Sequence, residues 1–198
     1  MTTSRSYHHG DLREQLLQRA EQTLRETGAE QLSLRQLARD VGVTHNAPSR
    51  HFRDKQALLD ALAQSGFERL GAAFRASDAD GPFVQRFHRL ARAYLRFAVD
   101  NPALLTLMFT RKHSPTGGTE MATAVRHAFA VPVALTAEAQ ARGEIVAGDP
   151  LRIGMSVAVS LQGLASFVIS GMVTPEAAEQ LLDEVVTNLT QGLLPREV

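Results

Sequence analysis

The sequence predicts an all-α protein, and three observations carry that prediction. Apolar residues recur at three- and four-residue intervals through nearly every segment. No segment sustains apolar–polar alternation with β-branched residues, and the periodic runs are punctuated by Gly, Pro and capping Ser, Thr, Asn or Asp. About nine helices follow, divided into a small head over residues 1–55 and a larger helical body over 56–198, with a helix over about 54–76 connecting them.

Leu12, Leu16, Ala20 and Leu24 share one face of the first helix, which ends at Gly28. Ser33 and Gln36 form a capping box, in which the hydroxyl takes an orphan backbone N–H and the amide reaches back. Leu34, Leu37, Ala38 and Val41 then make the apolar face of a second helix that Gly42 closes. Thr44 caps a short third helix. Pro48 is its fourth helical residue, so the missing N–H removes only the first regular intrahelical bond, and Ala47 is pushed from ideal helix geometry. Asp54 caps a fourth helix, which carries Leu59, Leu62, Leu70 and Phe74 to about Ala76.

The turn "SDADGP" separates this from a fifth helix over about 83–99. Asn101-Pro102 supplies an N-cap and an N1 proline for a short sixth helix, "ALLTLMF". A seventh helix runs from about Glu120 to Arg142 with a kink at Pro132. Asp149-Pro150 and Thr174-Pro175 repeat the cap-then-proline signature and open the eighth and ninth helices.

Composition narrows the function. With 198 residues, 44% of them apolar, the chain can bury a substantial core, and with no cysteine it can have neither a disulfide nor a thiolate site. The polar N-terminus lacks a secretory core, which predicts a cytoplasmic protein. None of the common catalytic motifs is present: no HExxH, no GxSxG, no phosphate-binding glycine loop. The expectation is therefore no enzyme and no cofactor. His8 and His9 lack further ligands at metal-binding spacing, so no metal is expected. The net charge is zero, yet over residues 33–53 Arg35, Arg39, Arg50 and Arg53 face only Asp40. A neutral protein thus carries a small basic patch.

That patch lies on two short helices joined through "VGVT", the arrangement of a helix-turn-helix, whose second helix meets base edges in the DNA major groove. Thr44, His45, Asn46, Ser49 and Arg50 all carry groups that hydrogen-bond to phosphates or base edges. A helical hairpin with a polar outer face has the same periodicity.

The register of "LARDVGV", "RHF" and "DKQALL" resolves this further. Residues 7–67 resemble the DNA-binding head of the TetR family of bacterial transcriptional regulators, and "AYLRFAVDNPALLTLMF" is similar to the start of the regulatory region in one subgroup. The resemblance implies a homodimer that binds a palindromic double-stranded operator as a repressor and releases it when a small molecule enters the body. It places Ser33, Arg35, His51 and Lys55 near phosphates, and Thr44, His45 and Asn46 at the groove, with His45 and Asn46 reading bases. Ser49 departs from the tyrosine common in the family, so that contact is either lost or replaced by Arg50 or Arg53, with a structural ion pair the alternative role for Arg50. Tyr7 or His9 contacts the DNA backbone or packs and caps.

From Ile153 to Thr174 there is no charge in 22 residues, a length that could span a membrane. Ser156, Ser160, Gln162, Ser166 and Ser170 interrupt the run, and no basic cluster flanks it, so no membrane is expected. Gly154, Ala158, Gly163 and Ala165, with Leu181, Val185 and Leu189, predict instead a homodimer through the eighth and ninth helices, two from each subunit. The resemblance puts the effector pocket between the fourth and eighth helices. Phe87, His88, Ala91, Met108, Phe109, His127, Phe129, Gln162 and Phe167 are its candidates, with His113, and they suit a largely apolar small molecule unless they are plain core. Arg89, Arg92 and Arg96 form a stripe that is either solvated or an anion-binding wall. The sixth helix is the expected lever between pocket and head. A regulator that needs no effector, or answers to another protein, would share the same head.

Overall fold

The structure, a computed structural model, describes residues 9–114 and 116–193. Nine α-helices form among them: α1 His9–Thr27, α2 Leu34–Asp40, α3 Lys55–Ser77, α4 Phe83–Asp100, α5 Pro102–Arg111, α6 Gly118–Ala128, α7 Ala130–Ala141, α8 Pro150–Ile169 and α9 Pro175–Leu193. Short 3-10 turns occupy Ala29–Gln31 and Pro48–Arg50, and no described residue is in a strand. The all-α class is as the periodicity predicts.

The chain divides into two compact units. Among the described residues, one comprises those up to Gly66 with those of Ala103–Thr123, the other Phe67–Pro102 with those from Ala124 on. In the first, Leu12, Leu16, Ala20 and Leu24 of α1 are buried with Leu37 and Ala38 of α2, Phe52, and Leu58, Leu59 and Leu62 of α3. The Arg13 guanidinium sits 5.5 Å from the Phe52 ring centroid. In the second, α4 turns Phe83, Phe87, Leu90, Ala91, Tyr94, Leu95, Phe97 and Ala98 inward and packs on α7, α8 and α9.

The count of nine conceals two corrections that cancel. The expected third helix is a turn followed by the 3-10 turn Pro48–Arg50. An α-helix there needs residue 48 to donate to the Thr44 carbonyl, and proline has no N–H. The carbonyl accepts from Ala47 N instead, at 2.9 Å, closing a tighter i→i+3 turn. Ala47 keeps φ −63° and ψ −41°, so the displacement expected of the residue before proline does not occur. The expected seventh helix is two. It breaks at Phe129, with φ −94° and ψ 8°, and α7 restarts at Ala130 so that Pro132 falls in the first turn, where an N–H has no intrahelical acceptor.

Capping follows the sequence unevenly. Asp54 accepts from Ala57 N at 2.8 Å, Asp149 from Leu151 N at 2.9 Å, and Thr174 Oγ1 from Ala177 N at 3.2 Å. Ser33 occupies the N-cap of α2 in extended geometry but makes no side-chain cap bond, and Gln36 does not reach back. The Gln36 amide donates to Asp40 at 2.6 Å and its oxygen accepts from Arg39. Asn101 turns its amide onto the Phe97 carbonyl at 3.0 Å and thereby closes α4.

Candidate nucleic-acid interface

The site begins with the exit from α2. Gly42 has φ +75°, which a side chain rarely tolerates, and this lets Val43 N reach the Ala38 carbonyl at 2.9 Å and Gly42 N the Arg39 carbonyl at 3.1 Å. The paired bonds stop α2 and turn the chain sharply into residues 44–50. Pro48 and Phe52 are buried and Ala47 half-buried, so the segment is held by its apolar side. The same anchoring leaves Thr44, His45, Asn46, Ser49 and Arg50 exposed. Pro48 is thus both the residue that prevents an α-helix here and the one that seats the segment.

Ser33 and Arg35, at the start of α2, are also exposed, and α2 packs against Pro48–Arg50. Among the described residues, none of Ser33, Arg35, Thr44, His45, Asn46, Ser49 and Arg50 has a side-chain hydrogen bond or ion pair. A cluster of exposed donors and acceptors with no internal partner has its full capacity available to a polar surface such as duplex DNA.

Electrostatics favour an anion there. Asp40, the only carboxylate among residues 33–53, accepts from Gln36 at 2.6 Å and from Arg19 Nε at 2.8 Å. The Gln36 bond, with Arg19 and Arg39 nearby, holds its pKa below the usual carboxyl value. Arg19, on α1, thus offsets the one negative charge of the patch, a role with no signal in the sequence because it depends on two helices meeting. Arg53 pairs with neighbouring Asp54 at 3.3 Å and Arg39 bonds Gln36, leaving Arg35 and Arg50 as the guanidiniums of the patch with neither an ion pair nor a hydrogen bond. His51 is half-buried. Lys55 donates from Nζ to the Glu30 carbonyl at 2.6 Å, which fixes the ammonium at the N-terminal end of α3 with two N–H groups left over. Tyr7, His8 and the side chain of His9 lie outside the described residues.

The body candidates are distributed over both units. Met108 and Phe109 belong to the first, where Met108 is fully buried and Lys112 Nζ lies 5.5 Å from the Phe109 ring centroid. His113 is exposed. The others belong to the second. Phe87 stacks on Phe83 at 5.7 Å, Ala91 is buried, Phe129 lies 6.0 Å from Phe74, and His127 and Phe167 are exposed. His88 Nε2 is 2.7 Å from Asp183 Oδ1. The arginine stripe is engaged within the protein. Arg89 donates to the Ala79 and Asp80 carbonyls, Arg92 pairs with Glu179 and Asp183 at 3.3 Å, and Arg96 lies 3.8 Å from Glu179. A pair that sequence reasoning missed is Tyr94 with Gln162. The phenol is buried on α4 and donates to the Gln162 oxygen on α8, and burial pushes its pKa well up.

Helix α8 is apolar and long enough to cross a membrane by length and composition alone. Leu151, Met155, Val159 and Phe167 recur along it at four- and eight-residue steps and are 61, 53, 65 and 48% exposed. Gly163 completes that stripe, and a Cβ built on it meets nothing within 4 Å.

Residues 16–62 match the family described as bacterial regulatory proteins, tetR family, and residues 87–189 match the tetracyclin repressor-like C-terminal domain. No protein of curated function shows significant similarity to the chain. Among solved structures, a protein of unknown function from Rhodococcus sp. RHA1 is 42% identical, with TM-score 0.88 over 97% of this chain and 100% of that one. A bacterial regulatory protein in the tetR family from Rhodococcus RHA1 shares the fold at 17% identity, with TM-score 0.72 over 94% of this chain and 98% of that one. The TetR family transcriptional regulator PfmR from Thermus thermophilus does so at 19% identity, with TM-score 0.69 over 91% and 99%.

Proposed function

The chain belongs to the TetR family of bacterial transcriptional regulators, and on that premise we propose that it binds a palindromic operator as a homodimer, represses from it, and leaves it when a small, largely apolar molecule enters the body. The observation that carries the reading is the exposed, internally unpartnered set Thr44, His45, Asn46, Ser49 and Arg50, held on a buried Pro48. His45 and Asn46 read bases. Ser33, Arg35, His51 and Lys55 meet phosphates, and Arg50 supplies the contact that the short Ser49 side chain does not reach.

The exposed stripe of α8 supports the dimer. Four large apolar side chains and an open glycine on one face need cover, and a second copy offers the same face under two-fold symmetry. With Leu181 of α9, 37% exposed, the interface is two helices from each subunit. The same face explains the long uncharged run without a bilayer, so the protein works in the cytoplasm beside the DNA it reads. The part-buried Tyr94–Gln162 pair, with Phe87 and Ala91 buried on the same helix as Tyr94, is the polar element between α4 and α8 that gives the effector its orientation.

The test is enrichment of duplexes from a randomised library on the purified protein, followed by a screen for compounds that raise the melting temperature and release the enriched duplex. An enriched palindrome and a releasing compound support the proposal. A palindrome that no stabilising compound releases favours the effector-independent regulator. Failure to enrich any duplex overturns the assignment.

A further inference from the structure

Helices α4, α7 and α8 pack on one another within the second unit, and none of the side chains that they bury is charged. The buried set is apolar except for Tyr94 on α4 and Thr136 on α7. After Arg152, α8 has no ionisable residue. The charged groups of α4 meet other partners. Arg92 and Arg96 each stand two residues from Tyr94, which is about 160° round an α-helix. With His88 they face Glu179 and Asp183 of α9. Arg89 donates to the Ala79 and Asp80 carbonyls, and Arg86 pairs with Asp78 at 3.0 Å and Glu138 at 2.7 Å. The Nε atoms of Arg89 and Arg92 are buried without a hydrogen bond, but on the side of α4 away from Tyr94.

A charged molecule enclosed by α4, α7 and α8 would lose its hydration and meet no counter-ion, which is unfavourable for either sign. An uncharged one meets usable polar groups. Thr136 has its hydroxyl hydrogen committed to the Pro132 carbonyl at 3.0 Å. Tyr94 donates to the Gln162 oxygen, which turns the amide so that its nitrogen points away from the phenol. Burial holds the phenol in its protonated, donating form. Among the described residues the Gln162 nitrogen has no hydrogen-bond partner, and the residue is only half-buried, so its two N–H groups remain available.

We propose that the effector is an uncharged molecule bearing a carbonyl or similar hydrogen-bond acceptor, which takes an N–H of Gln162. Gln162 then determines specificity and Tyr94 is its positioning residue. The assignment deepens the proposed effector response and rests on it. A ligand without the acceptor displaces water from the amide and leaves an N–H unpaired, so the site discriminates by chemistry as well as by apolar fit. The arginine stripe takes no part in recognition.

Thermal-shift titration of the full chain at neutral pH tests this with matched probes. These are methyl esters of straight-chain and cyclic acids of graded size, the corresponding carboxylates, the alkylammonium ions and the alkanes. At the best-fitting size the ester should bind at least tenfold tighter than the carboxylate, the ammonium ion or the alkane. Gln162→Leu should weaken the ester at least tenfold and leave the alkane no weaker, a split that a merely structural role would not give. Tyr94→Phe removes only the hydroxyl; it should weaken the ester at least threefold, spare the alkane, and decide the matter if Gln162→Leu does not fold. A charged probe that binds as tightly as its ester, or equal weakening of ester and alkane in the variants, overturns the proposal. Carboxylate binding that is lost in Arg89→Gln would place the ligand on the arginine stripe instead. If a charged probe binds and releases the enriched duplex, the effector response stands and only its assigned chemistry falls. If no probe of any class stabilises the protein, the effector response falls and the role of Gln162 with it.

Discussion

Truncating Phe167 to alanine tests the dimer through a side chain that the isolated subunit leaves half-exposed. A phenylalanine side chain presents about 200 Å², so 48% exposure leaves about 100 Å² for a partner to cover. At about 25 cal/mol/Å² this cover contributes about 2.5 kcal/mol, of which truncation to alanine forfeits about 2 kcal/mol. Two-fold symmetry places the change twice in one interface, so the dimer weakens by about 4 kcal/mol, roughly a thousandfold in Kd. Sedimentation equilibrium over a wide concentration range reads that change directly. The thermal midpoint of the variant, taken where wild type and variant are both monomeric, separates it from a folding defect. Operator binding by Phe167→Ala should also become steeply dependent on protein concentration. A dimer Kd within threefold of wild type would refute the assignment of the α8 stripe to the interface.

Three further outcomes follow from the head. Lys55→Ala should flatten the slope of log binding constant against log salt by roughly one unit on any duplex, since it removes one phosphate contact; an unchanged slope places the ammonium off the DNA. Gly42→Ala has open space for its methyl group but must adopt φ +75°, so it should destabilise by about 1–2 kcal/mol in denaturant titration, and a neutral result would mean that the turn relaxes. Asp40 has a depressed folded pKa, so its contribution to stability is present above the ordinary carboxyl value of 3.8 and is lost as pH falls through the lower folded value. Wild type should therefore melt above Asp40→Asn at neutral pH and converge with it only below about pH 4; a difference that persists undiminished into acid contradicts the Arg19–Asp40–Gln36 arrangement.

Where the sequence was legible, local chemistry decided the outcome. Leu12, Leu16, Ala20 and Leu24 are all buried as their spacing requires, and Gly42 closes α2 by the two bonds that its positive φ permits. The prolines show the limit. Pro48 and Pro132 were both visible, but a proline acts four residues upstream, on the carbonyl that it cannot satisfy. The consequences therefore appear as a turn starting at Thr44 and a break at Phe129, not as a tolerated edge and a kink. Gln36 failed as a capping partner because Asp40 and Arg39 compete for it, and Asp40 is itself set by Arg19, 21 residues away. The charge state of the patch and the burial of Asp60 by Arg111, 51 residues distant, are products of packing that no local pattern encodes.

Whether residues 44–50 read base edges is measured by Asn46→Ala. Wild type and variant are titrated by fluorescence anisotropy against the enriched duplex and a scrambled one of equal length at fixed salt. The expected result is a loss of about 1–3 kcal/mol on the enriched duplex with little change on the scrambled one, so that the specificity ratio falls by roughly 10- to 100-fold. Equal weakening on both duplexes, or none on either, would contradict it.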